Sequence, residues 1–83
     1  MYNTKNLKLK NGLDEFFTGF ILHRLHSDFK QNVLYQKPIS IKNVNRKFSL
    51  WFRFTREQTY ECLKLLEQEG HLQIKKGSIL VIK

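Results

Sequence analysis

His23 and His26 stand three residues apart in a segment with helical periodicity, a spacing at which two imidazoles can share one helix face and bind a metal ion. No Cys, Asp or Glu at matching spacing completes such a site, so both are expected as surface histidines, with no metal and no cofactor. The one cysteine, Cys62, falls on the apolar side of its helix and is expected as an inert buried thiol rather than a redox switch. A phosphate-cradling glycine loop, a nucleophile elbow and a matched acid–base pair are all lacking, which argues against an enzyme. The chemistry the sequence does offer is electrostatic.

Fifteen Lys and Arg against seven Asp and Glu give a formal charge of +8 on 83 residues, a potential that attracts polyanions. The distribution matters more than the total. Between Phe29 and Arg56 lie seven cations (Lys30, Lys37, Lys42, Arg46, Lys47, Arg53, Arg56) and no acid, the expected electrostatic footprint of a nucleic-acid partner. The alternative is a solvated lysine-rich surface. The longest apolar stretch, Phe16 to Leu22, is seven residues interrupted by Thr18 and Gly19, so no membrane association is expected. A single cysteine forms no internal disulfide, and an intracellular, cytoplasmic location is the expectation.

Several elements must position these charges. Residues 1–12 carry Lys5, Lys8 and Lys10 and close on Gly12, which reads as a flexible basic arm with a possible short strand at 7–10. Residues 14–29 read as an amphipathic helix: Asp14 and Glu15 suit its N-terminus, and Phe16, Phe17, Phe20, Ile21, Leu25 and Phe29 give it a wide aromatic face. Gly19 inside it costs about 1 kcal/mol relative to Ala, which suggests close packing against another backbone. Residues 30–38, ending at the one proline, read as a connection with a short strand at 33–36. Ser40 can cap a short helix over 41–48, whose Ile41, Val44 and Phe48 lie opposite Lys42, Asn43, Asn45, Arg46 and Lys47.

Ser49 to Phe54 breaks that periodicity and reads as an aromatic link, with Leu50, Trp51, Phe52 and Phe54 expected mainly in the core. Thr55-Arg56-Glu57-Gln58 matches a capping box and starts a helix over 55–69, with Thr59, Cys62, Leu63 and Leu66 on its apolar face and Gly70 as its stop. Beyond Gly70, Leu72-Gln73-Ile74-Lys75 alternates, Lys76-Gly77 offers a turn and Ile79–Ile82 is a short β-branched run, the pattern of a β-hairpin over 72–82. The expectation is an α+β, mainly α, single domain over 13–83 with three helices and a C-terminal hairpin.

Residues 38–82 resemble winged helix-turn-helix domains, the MarR-like and related small prokaryotic and viral transcription regulators. The resemblance is carried by Pro38-Ile39-Ser40-Ile41 with Val44 and Phe48, by Thr55-Arg56-Glu57-Gln58-Thr59, and by Leu63, Leu66-Glu67, Gly70 and Leu72. It implies that helix 55–69 enters the DNA major groove while hairpin 72–82 lies on the backbone as a wing. By position, Arg56, Glu57, Gln58, Tyr60 and Glu61 are then the base-reading residues. Lys42, Arg46, Lys47, Arg53, Thr55 and Lys64, with Lys75 and Lys76 in the wing, are the phosphate contacts. Arg can bond guanine bidentately, Gln adenine, and Glu the cytosine amino group.

The resulting expectation is a sequence-specific double-stranded DNA-binding regulator, acting as a homodimer through the aromatic face of helix 14–29 and the basic arm. Helix 55–69 carries four acids against two cations, however, and a winged-helix protein-interaction module is the rival from another class. A nucleic-acid-binding protein without sequence readout is the third possibility.

Overall fold

The computed structural model describes residues 15–82, so the basic arm, its possible strand and the contribution of Asp14 lie outside the described residues. The fold is α+β and mainly helical: α1 (Glu15–Asp28), α2 (Lys30–Leu34), β1 (Ile39–Ser40), α3 (Ile41–Phe52), α4 (Arg56–Gln68), β2 (Leu72–Lys75) and β3 (Ser78–Val81). The strands form one antiparallel sheet in the order β1-β3-β2. Among the described residues no helix is long and apolar enough to cross a membrane.

One core joins all layers. Phe17, Ile21 and Leu25 of α1 meet Val44, Phe48 and Phe52 of α3, Leu63 and Leu66 of α4, and Leu72, Ile79 and Val81 of the hairpin. α1 and α3 run antiparallel, because Phe20 touches Phe52, Arg24 lies over Trp51 and Asp28 pairs with Lys47.

Two elements differ from the sequence expectation. Residues 33–36 form no strand; the chain leaves α1 through Phe29 and makes the single-turn helix α2, which turns Val33 into the core. Gln36 then takes a left-handed φ of 53°, and its side-chain amide donates to the carbonyls of Val33 and Val81, fastening α2 to β3. The β propensity of Val33-Leu34-Tyr35 loses to these tertiary bonds, since Leu34 and Tyr35 stay exposed.

The second difference is α3, which runs to Phe52 rather than stopping at 48. Phe52 stands four residues after Phe48 and extends the buried face set by Val44, while Leu50 looks outward at 73% exposure and breaks only the sequence pattern. Arg53, with φ 57°, ends the helix in the left-handed region. The connection to α4 is therefore a short turn at 53–55 rather than a six-residue link.

The capping residues behave as expected. The Asn43 N–H donates to Ser40 Oγ at 3.1 Å, and Thr55 and Gln58 form a reciprocal capping box, with N···O distances of 2.9 and 3.1 Å. At the other end of α4, Gly70 (φ 85°) lets its own N–H reach the Glu67 carbonyl and the His71 N–H reach that of Leu66, a Schellman closure. Thr55→Ala removes one half of the capping box, and urea denaturation should show a loss of about 1 kcal/mol. An unchanged midpoint would mean that solvent caps α4 equally well.

A candidate nucleic-acid interface on α3, α4 and the hairpin turn

α3 presents different residues to its two neighbours. Lys47 and Trp51, four residues apart, face α1: Lys47 Nζ lies 3.3 Å from an Asp28 carboxylate oxygen, and the Arg24 guanidinium lies over Phe20 and Trp51 at 5.5 and 5.6 Å from the ring centroids. Lys42, Asn45, Arg46 and Ser49, at spacings of three and four, border a groove of about 390 Å³ that Phe54 and Arg56 complete from the start of α4. Three cations and two hydrogen-bonding side chains line it, with no acid.

The hairpin turn joins this surface. The register pairs Lys75 with Ser78, leaving Lys76-Gly77 as a two-residue turn in which Gly77 takes φ 74°. The Gly77 carbonyl accepts from the Ile41 N–H at 3.1 Å, so the hairpin turn is held against the first turn of α3. A basic strip of Lys42, Arg46 and Arg56 thus lines the groove, and the turn that carries Lys76 is bonded to the N-terminus of the same α3. Such a strip neutralises anionic oxygens spaced along a backbone, and the first turn of α4 adds unpaired N–H groups and its dipole.

The remaining predicted residues fall into distinct environments. Lys75 is exposed on β2, and Arg53 is exposed at the α3–α4 turn. Lys47 is drawn away from the strip into its ion pair with Asp28. The Gln58 side-chain carbonyl already accepts from the Thr55 N–H, which uses one of its two lone pairs and fixes its direction, while its amide nitrogen can donate to an adenine edge. The Thr55 hydroxyl accepts from the Gln58 N–H and keeps its own proton for a phosphate. Tyr60 and Lys64 stack on the exposed side of α4, with the ammonium 5.6 Å from the ring centroid. Glu57 and Glu61 are exposed on the same helix, Glu57 in the first turn where the dipole favours an acid.

Of the three acids of α4 and the Glu69 that caps it, two have work elsewhere. A Glu67 carboxylate oxygen accepts from the Ile74 N–H at 2.8 Å and covers the exposed edge of β2, while Glu69 lies 3.5 Å from His71. Asn45 and Ser49, which belong to the groove, were not singled out in the sequence. Their signal was the spacing from Lys42, which puts 42, 45, 46 and 49 on one face.

Cys62 is fully enclosed, and burial first and the Glu69 charge second push its thiol up to about 12, so it carries no thiolate near neutrality. Among the described residues no group of three or more His, Cys, Asp or Glu is placed to hold a metal ion. His23, His26 and His71 do border one shallow groove, beside Gly19, on α1 and the base of the hairpin. Gly19 itself does not receive a neighbouring backbone, contrary to expectation: a Cβ there would meet nothing within 4 Å. The chain matches no protein-family model, no curated protein and no solved structure, so the meaning of the basic strip rests on its own geometry.

Proposed function

We propose that the chain is a winged helix-turn-helix protein that binds double-stranded DNA and regulates transcription, with α4 in the major groove and the hairpin as a short wing. One observation carries the reading: Lys42, Arg46 and Arg56 line a single acid-free groove at the α3–α4 junction, on the helix whose first turn is bonded to the hairpin turn. The element order agrees with it, a strand leading into α3, a tight turn, α4 and then a hairpin whose second strand pairs with the first. Lys42, Arg46 and the hairpin turn take phosphates, and Arg56 and Tyr60 in the first half of α4 read the bases, with the Gln58 amide nitrogen contributing as a donor.

A protein-docking role for α4 draws on Glu57 and Glu61 alone, because Glu67 and Glu69 are engaged within the fold. The test separates the two readings. A preferred duplex is selected from random sequences, and Arg56→Ala is then compared on that duplex and a scrambled one by fluorescence anisotropy. Loss of a bidentate base contact should cost about 1–3 kcal/mol on the preferred site and far less on the scrambled one. Equal losses on both duplexes would make Arg56 a phosphate contact. If no duplex is enriched or bound at all, the DNA reading is wrong.

A further inference from the structure

Gly19 is unexplained by packing among the described residues. It sits in the middle of α1, where glycine weakens a helix, has no need of a left-handed φ, and faces open space where a Cβ would fit. Around it runs a stripe of Glu15 and Phe16 one turn before and Leu22 and His23 one turn after; among the described residues Glu15, Phe16 and His23 are exposed, and Leu22, which leans on the core with part of its side chain, is half-buried. Phe16 is 77% exposed, the most exposed large apolar side chain among the described residues. On the far side of the groove stand Gly70, His71 and Ile82.

We propose that this face of α1 is a homodimer interface, on which a second copy packs its own α1 antiparallel across a two-fold axis at Gly19. The inference does not depend on the DNA reading. In an antiparallel pair centred on residue 19, the residue four before the axis stands opposite the residue four after it, and likewise for three. Glu15 therefore faces His23 of the other copy, and Phe16 faces Leu22, each contact occurring twice, as a two-fold interface requires. The stripe is self-complementary, with a carboxylate opposite an imidazole that can donate a hydrogen bond to it and Phe16 opposite Leu22. Glycine on the axis lets the helices approach at the short end of the range for packed helices.

Charge bears on where a second copy can dock. Two molecules of charge +8 repel, and neither recess along this face is bordered by a lysine or arginine; their charged neighbours are Glu15 and Glu69. The nearest cation on α1, Arg24, lies over Phe20 and Trp51 on the α3 side. The aromatic face expected from the sequence to make the dimer is mostly used up, with Phe17 inside the core and Phe20 against Phe52.

Sedimentation velocity on the full chain from low to high micromolar concentration tests the inference. The wild type should pass from monomer to dimer, and Gly19→Leu should remove the dimer. Gly19→Ala separates interface from fold, because its effects have opposite signs: a better helix raises the midpoint of thermal unfolding of the dilute monomer by about 4–8 °C, while dimerisation weakens. Gly19→Cys should give a disulfide-linked dimer under mild oxidation, with Cys62 buried out of reach. Ser27→Cys, about 12 Å along the helix from the axis, should not. A wild type that stays monomeric throughout, a Gly19→Leu variant that dimerises normally, or equal cross-linking at 19 and 27 overturns the proposal.

Discussion

Phe52→Ala is expected to destabilise the domain by about 3–5 kcal/mol, enough to unfold a large share of a chain this small at physiological temperature. Phe52 is 2% exposed, and its ring contacts those of Phe17, Phe20, Phe48, Trp51 and Phe54 at centroid separations from 5.2 to 5.9 Å. It ties α1, α3 and the α3–α4 turn together, so the cavity left by alanine opens where three elements meet and cannot collapse by moving one of them. Leu50→Ala, two residues earlier on the same helix, removes a side chain that is 73% exposed and should change stability by no more than about 0.5 kcal/mol. Urea denaturation of both variants checks the pair. Similar losses would mean that α3 does not continue through Phe52 and that 49–54 is a loop.

The second large effect concerns the basic strip. Replacing Lys42, Arg46 and Lys76 together by Ala removes three phosphate contacts on the DNA-binding reading, lowering the slope of log affinity against log salt by about 2.7 and the affinity near 0.15 M salt by about two orders of magnitude. The loss should be the same for preferred and scrambled duplexes, since phosphates carry no sequence. Lys47→Ala, one residue from Arg46 in the chain, should leave the slope nearly unchanged, because its ammonium is held by Asp28 on the α1 side. A salt series of anisotropy titrations distinguishes them. If Lys47→Ala lowers the slope as much as Arg46→Ala, binding follows net charge rather than the strip, and the non-specific reading replaces the one proposed.

Local signals settled much of the fold before any packing was considered. Ser40, the Thr55–Gln58 box and Gly70 mark helix ends through bonds made within a few residues, and the change from helical to alternating periodicity after Gly70 announces the hairpin. These features are legible because their energetics are local. The acid-free run from Lys30 to Arg56 likewise showed where positive charge concentrates, though not how it is divided.

That division is a tertiary property. Arg46 and Lys47 are neighbours in sequence, yet one borders the groove with Arg56 and the other pairs with Asp28, because α3 is packed between α1 and α4 and presents a different side to each. The acids of α4 looked uniform in the chain, and only the hairpin folding back on the helix gave Glu67 the Ile74 N–H. The continuation of α3 through Phe52 and the helical turn at Val33 were hidden for the same reason. Leu50 and Leu34 point to solvent and spoil the apolar pattern, while the burial that favours these conformations is supplied by α1 and β3, elements distant in the sequence. Composition and spacing determined which helices and strands this chain can form; side-by-side packing determined which faces of them were left over for a partner.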